Sequence, residues 1–287
     1  MESCLNVIRV SDSDNATRPG LAALEIDLVF GESTVTTAYA SSPLKLLTPR
    51  SRGRSVWACT SSFGGGLVAG DQTRLNLRLG VGTRCYLGTQ ASTKVYRSRG
   101  GLPCSHETAA VLETGSILLF APDPVQAFAD SIYAQRQEFR LASDAGLILL
   151  DWFTSGRAAC GERWSFSSFQ SRNEVFIDGQ RAFLDSLSLD PNEGELTNTH
   201  RMGRFNCLAT LLVIGSPLKN IADVLAAEVE VLPISKQSSL VRSASRIASG
   251  AVLRIAGEDV ESVGKELHRH LACASDIVGE DPWARKW

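Results

Sequence analysis

The sequence predicts one mainly-β domain with a little helix towards its C-terminal end, and three observations carry that prediction. Apolar and polar residues alternate in short runs from about residue 21 to 215. Gly and Pro punctuate those runs densely, as many short strands require. A helical spacing of apolar residues surfaces only after Pro217.

The alternation is clearest where Leu24, Ile26 and Leu28 are separated by Glu25 and Asp27, and where Leu75, Leu77 and Leu79 are separated by Asn76 and Arg78. A period of two puts the apolar side chains on one face of a sheet. Further strands are expected at 35–39, 55–59, 85–89, 109–112, 117–120, 134–141, 147–152 and 164–169. The runs 175–177 and 181–183 flank Asp178-Gly179, a hairpin signal because glycine accepts the positive φ of a tight primed turn. Ile221, Val224, Leu225 and Val229 fit one face of a first helix, and Val260, Val263, Leu267 and Leu271 fit a second. No fixed-period repeat is present, so a solenoid built on a strict sequence repeat is not supported. Residues 1–20 are polar, end in Arg18-Pro19-Gly20, and read as a flexible arm ahead of a single domain spanning 21–287.

Composition narrows the function classes. The 287 residues carry 29 basic and 31 acidic side chains, a net charge of -2 that gives no footprint for nucleic acid. The runs 146–150 and 208–214 fall far short of the roughly 18–20 apolar residues that span a bilayer. No basic stretch followed by an apolar one opens the chain, so the expectation is a soluble cytoplasmic protein with no membrane partner. Seven cysteines without a C-x-x-C read as reduced thiols rather than a disulfide framework.

Most motifs reduce to bland readings. Phe63-Gly64-Gly65-Gly66-Leu67-Val68-Ala69-Gly70-Asp71 lacks the Gly-Lys-Ser/Thr ending of a phosphate loop, and a strand rather than a helix follows it. A Gly-rich turn that lets backbones approach is the better reading, with Asp71 a turn acceptor or a polar site residue. His268-x-His270 sits on the second helix, where residues two apart diverge, and reads as a solvated face. Cys104-x-His106 is a weak metal candidate without third and fourth ligands, the basis of a stand-alone nickel or zinc protein as an alternative. Ser42-Pro43-Leu44-Lys45 and Ser216-Pro217-Leu218-Lys219 have serine–lysine spacing, but proline breaks the helix that would align the pair. A cysteine-dependent hydrolase or transferase would have to use Cys160 with His200.

Carboxylates in apolar or Gly-rich surroundings stand out. Asp151 follows Leu147-Ile148-Leu149-Leu150 and precedes Trp152-Phe153; Glu162 follows Gly161; Glu174 follows Ser171-Arg172-Asn173. Burying a carboxylate is costly unless it pairs, holds a cation or meets water. Two readings stay open: ion pairs Asp151–Arg157 and Glu162–Arg172 holding a corner, or a polar path through a β scaffold.

Ser42-Pro43-Leu44-Lys45, the Gly64–Asp71 loop and Thr89-Gln90-Ala91-Ser92-Thr93-Lys94-Val95-Tyr96-Arg97-Ser98 together resemble the signatures of the UreD (UreH) family of urease accessory proteins. Pro122-Asp123-Pro124, Gln137-Glu138-Phe139, Asp151, Gly156-Arg157, Gly161-Glu162-Arg163-Trp164 and Ser171-Arg172-Asn173-Glu174 continue the order. Gly250-Ala251-Val252-Leu253-Arg254 and Arg285-Lys286-Trp287 extend it over about 21–287. The resemblance implies a layered, β-helix-like stack of many strands with two helices. It implies a non-enzymatic maturation factor that binds apo-urease with UreF and the GTPase UreG and passes nickel through an internal tunnel. It implies that no cofactor is held tightly and that nickel is bound only transiently. By motif position the resemblance makes Asp71, Asp151 and Glu174 correspond to acidic positions that matter for activation or line that path, and Glu162 to a Gly-Glu element. Thr93, Lys94, Tyr96 and Arg97 lie near the partner surface and the path. Cys104 and His106 receive no role. Ala69 stands where a second glycine is common, which preserves the turn if its φ is negative.

Overall fold

Residues 19–50, 53–230, 235 and 237–283 are described by the computed structural model. Most of the expected arm and the motif Arg285-Lys286-Trp287 lie outside them. An antiparallel hairpin, β1 (Gly20–Val29) and β2 (Glu32–Ala40), and the short β3 (Leu44–Leu47) open the fold. The chain then winds in coils, each laying a strand in one sheet, a short strand at the corner and a third strand in a second sheet. The first coil is β4 (Val56–Ser62), β5 (Gly66–Leu67) and β6 (Gln72–Leu79); the second is β7 (Arg84–Thr89), β8 (Thr93–Val95) and β9 (Cys104–Leu112). The third is β10 (Ile117–Phe120), β11 (Val125–Ala127) and β12 (Ile132–Leu141), and the last pairs β13 (Gly146–Thr154) with β14 (Ser168–Ile177).

Coil stacks on coil through parallel ladders. In sheet A, β1, β6, β9, β12 and β14 run parallel, with β2 and β15 (Gln180–Leu189) antiparallel at the two edges. In sheet B, β4, β7, β10 and β13 are parallel, and β3 caps one edge. Beyond β13 come β16 (Cys207–Ile214), then, after helix α1 (Lys219–Glu230), the hairpin β17 (Leu240–Ile247) and β18 (Gly250–Gly257). Helices α2 (Val260–His270) and α3 (Ala274–Val278) follow. This is a β-helix-like solenoid. Its coils begin at residues 56, 84, 117 and 146, at unequal intervals, which is why no sequence repeat betrays it.

Parallel register stacks like residues. Leu77, Ala110, Phe139 and Val175 share one inward level, Leu79, Leu112 and Leu141 the next, and both face Leu87, Leu118 and Leu147 of sheet B. Each such side chain contributes about 1.5–3 kcal/mol on leaving water. Sheet B buries its outer face against the helices: Ile148, Leu150 and Trp152 meet Leu225, Val229, Val263 and Leu267. Asp259 caps α2 by accepting the Ser262 N–H at 2.7 Å, which satisfies a helix-end donor.

Several expectations shift. The expected strand at 164–169 begins only at Ser168, because Trp164 adopts a left-handed φ of 55° and plugs one end of the solenoid with Phe166 and Phe169. The helices do not close the chain's β part, since β17 and β18 return after α1. On α1 the buried face is Ala222, Leu225, Ala226 and Val229, leaving Val224 exposed; on α2, Val260 is exposed. Asp178 and Gly179 take the two positive φ values expected of a primed turn. The Gly-rich segment is indeed a close approach: a Cβ on Gly66 would fall 2.4 Å from the Lys94 carbonyl oxygen. Gly70 takes positive φ, whereas Ala69 does not.

Candidate functional site: a carboxylate between two interior cavities

Where the inward levels of sheet A should continue apolar, they turn polar. Thr73, His106, Gln135 and Ser171 share one level across four parallel strands, and Thr108, Gln137 and Asn173 share the next. Sheet B faces them with Asp151, which occupies the inward alternation of β13 after Leu147 and Leu149. The carboxylate is 9% exposed. It accepts Gln135 Nε2 at 2.8 Å on Oδ1, and Ser171 Oγ at 2.6 Å and Asn173 Nδ2 at 2.7 Å on Oδ2. All three donors are neutral, so they offset desolvation through charge-assisted hydrogen bonds without cancelling the charge.

His106 continues the polar row. Its Nδ1 lies 2.8 Å from Thr73 Oγ1 and its Nε2 lies 3.2 Å from Thr108 Oγ1. Thr73 donates its hydroxyl proton to the Ser105 carbonyl at 3.1 Å. That assigns the ring proton to Nδ1, with Nε2 accepting from Thr108. Burial of the ring beside the cavity pushes its pKa down to about 4 by desolvation. The imidazole is neutral at physiological pH.

Two cavities meet at this level. The narrower, about 100 Å³, opens among hydroxyls including Ser61, Ser62, Ser92 and Thr93, and reaches inward past His106 and Gln135 to Asp151. Among the described residues its lining holds two carboxylates, Asp123 and Asp151, and no lysine or arginine. Asp123 is fixed at the mouth, its N–H donating to Thr89 Oγ1 at 2.7 Å while that hydroxyl donates to Oδ2 at 3.1 Å. The wider cavity, about 430 Å³, lies in the cleft between β15 and the β16–β18–β17 extension, with Phe153, Leu187, Asp185 and Arg254 around it. Among the described residues Asp151 is the one common to both linings. An uncompensated carboxylate among hydroxyls and amides offers oxygen ligands and room for water, which suits a partly hydrated divalent cation.

The remaining sequence candidates fall elsewhere. Glu174 points out of the opposite face of sheet A from Asn173. Arg172 grips it at 2.9 Å through both Nε and Nη2, and Arg136 and Arg181 stand at 3.5 and 3.7 Å. These arginines, Arg172 foremost, hold its carboxyl below the usual range. Glu162 lies in the loop after β13, bonded by Arg157, which lowers its pKa, and by the Ala129 N–H at 3.3 Å. The corner pairings read from sequence are thus corrected: Arg157 takes Glu162, Arg172 takes Glu174, and Asp151 takes neutral donors. Asp71 accepts the Val68 N–H at 2.9 Å, closing its own turn, and lines neither cavity. Thr93 is at the narrow mouth, Lys94 is exposed, Tyr96 packs edge-on against Phe128, and Arg97 pairs with Asp130 at 3.1 Å.

Cys104 is buried, its Sγ 3.5 Å from the Ile132 carbonyl, and burial raises its pKa to about 12, so it is a protonated thiol at neutral pH. No group of three or more His, Cys, Asp or Glu side chains is poised for a metal among the described residues. Cys160 is exposed on a tight turn, and no hydrogen bond joins it to His200 among the described residues. His270 departs from the solvated-face expectation: it is buried, with Nε2 3.0 Å from Glu266, while His268 packs tilted against Trp283. Sequence reasoning missed Gln135, Gln137, Ser171 and Asn173. Their signal was available, since polar residues hold every second position of 135–137 and 171–173 just before Phe139 and Val175. No helix among the described residues is long and apolar enough to cross a membrane.

Comparison with known proteins agrees over the whole described fold. Residues 19–287 match the family described as UreD urease accessory protein. The urease accessory protein UreD of Sorangium cellulosum is 43% identical over 95% of this chain and 86% of its own. Urease accessory protein D of Oryza sativa subsp. japonica is 33% identical over 95% and 97%. Urease accessory protein 4 of Cryptococcus neoformans is 32% identical over 87% and 89%. The chain therefore belongs to the UreD urease accessory protein family.

Proposed function

We propose that this protein is a non-catalytic urease maturation factor of the cytoplasm that binds apo-urease together with UreF and UreG and lets nickel cross its interior. The observation that carries this reading is Asp151, a buried carboxylate at the junction of two cavities, held by three neutral donors. Nickel is cargo here, so the site must bind weakly enough to release it, and oxygen ligands with water meet that need better than a thiolate. Asp123 and Thr93 serve the mouth and Asp151 the midpoint. Asp71, Glu162 and Glu174 support the path from outside it by fixing the 68–71 turn, the 157–162 loop and the arginine cluster of sheet A. Thr93, Lys94, Tyr96 and Arg97 form the adjoining partner surface.

The test is urease activity and urease-bound nickel in cells that express apo-urease, UreF and UreG, with and without this chain. Both should depend on the chain, and Asp151→Asn should reduce both while the variant still co-purifies with its partners. Full activation without the chain, or by the folded Asp151→Asn variant, would refute the reading.

A further inference from the structure

The polar level that holds Asp151 does not end there. Across sheet B, Asp151 is in register with Thr210 and Thr210 with Arg254; across sheet A, Gln137 is in register with Asn173 and Asn173 with Asp185. The two rows face each other. Asn173 crosses to Asp151 at 2.7 Å, and at the outer strands of the two rows Arg254 Nη2 crosses to Asp185 Oδ1 at 2.9 Å. This second contact ties the last strand of sheet A to the extension of sheet B over the wider cavity, whose lining includes both residues and Asp151. Arg242, also at that cavity, turns away to Glu266 on α2 at 3.3 Å. Arg254 is therefore the guanidinium that answers to the interior.

We propose that the Asp185–Arg254 ion pair is a charge-operated gate on the wider cavity. This deepens, and rests on, the reading that nickel passes Asp151. While the pair is intact, Arg254 neutralises Asp185 and opposes any cation arriving from the narrow side. A divalent ion at Asp151 repels the guanidinium and attracts the Asp185 carboxylate. Arg254 is 52% exposed and Asp185 25%, so the arginine has solvent to swing into and the aspartate stays. A half-exposed pair is weakly held. Once it opens, Asp185 supplies a second carboxylate beside Asp151, and the ion moves from one to the other.

A pair that acts on the ion through its charge makes the two single variants act in opposite directions, which a purely mechanical brace between the sheets does not. Equilibrium dialysis of nickel against the full-length chain should show tighter binding for Arg254→Gln and weaker binding for Asp185→Asn, each by on the order of tenfold, the effect of one nearby charge on a divalent ion. The double variant should return close to the wild-type value. Thermal melts identify folded variants, and Arg254→Lys, which keeps the charge, should bind as wild type. Shifts in the same direction, or none, overturn the gate. Asp151→Asn in the same dialysis separates the two ideas. If it loses nickel while the gate variants are unchanged, the path stands and the gate falls; if it binds normally, the path reading fails and the gate with it.

Discussion

Acidification should destabilise this protein earlier than its carboxylates alone would allow, and His106 is the reason. Its folded pKa is depressed from 6.5 to about 4 by desolvation. The unfolded chain therefore binds the imidazole proton more readily, and the stability His106 contributes is complete above about pH 6.5 and is lost as pH falls towards 4. Integrating between pH 7 and pH 5, with allowance for water in the cavity, gives a loss of about 1–2 kcal/mol. Asp259 and Glu266 also have depressed pKa values, but their contributions disappear only below the ordinary carboxylate range, so the windows separate. His270 is depressed as well and contributes in the same direction. The assay is urea unfolding at pH 7 and pH 5 for wild type and His106→Gln, whose amide can still bond Thr73 and Thr108. The variant should lose about 1–2 kcal/mol less on acidification. An identical pH dependence in both proteins would show that the ring is not desolvated in the folded state, and the enclosed narrow cavity would have to be redrawn.

Other perturbations follow from the same geometry. Asp151→Leu strands the donors of Gln135, Ser171 and Asn173 and should cost about 2–4 kcal/mol in chemical denaturation, whereas the isosteric Asp151→Asn should cost under about 2 kcal/mol. Phe139→Ala opens a cavity in the stacked level shared with Ala110 and Val175 and should lower stability by about 3–5 kcal/mol, read as a fall in the denaturation midpoint. Asp259→Ala removes the cap of α2 and should cost about 1 kcal/mol, with a lower Tm and an unchanged core. Gly66→Ala meets the Lys94 backbone and should destabilise more than Gly64→Ala, which has open space but a positive φ.

Which residues face inward was legible in the sequence; which strands are neighbours was not. The period of two at Leu24–Leu28 and Leu75–Leu79 marks a buried face, yet nothing in it names β1 and β6 as partners, since parallel pairing joins residues about fifty positions apart. The hairpin at Asp178-Gly179 was legible because its turn chemistry is local. The strand Leu240–Ile247 was not: it is an edge, only partly buried, and Leu-Val-Arg-Ser-Ala-Ser-Arg-Ile lacks a clean alternation. Asp151 announced itself as a carboxylate in an apolar run. The alternation marks Gln135, Ser171 and Asn173 as inward polar residues, but not as partners of Asp151, because they come from two other strands and only the coil register assembles them. The error over Arg157 and Arg172 has the same origin: both were matched to carboxylates by nearness in sequence, whereas alternation puts Asp151 inside and Arg172 outside and Arg157 lies in the exposed loop after β13.

The contrast between Asp151 and Glu174 shows why the solenoid interior is suited to a cation. Both carboxylates are almost wholly covered, and both are fully bonded. Glu174 is surrounded by Arg136, Arg172 and Arg181, so its charge is more than cancelled and it has no attraction left for a metal ion. Asp151 is bonded by two amides and a hydroxyl, which stabilise the anion and leave its charge intact. A parallel ladder makes that arrangement easy to build: two adjacent levels, with Thr73, His106, Gln135 and Ser171 on one and Thr108, Gln137 and Asn173 on the other, run along the axis while leucine and phenylalanine levels beside them exclude water. Had an arginine stood at Ser171, Asp151 would be another structural ion pair. Ser171→Arg should therefore leave Asp151 buried, abolish nickel binding and leave partner capture intact. Retained nickel binding in that folded variant would show that the charge of Asp151 is not what draws the ion.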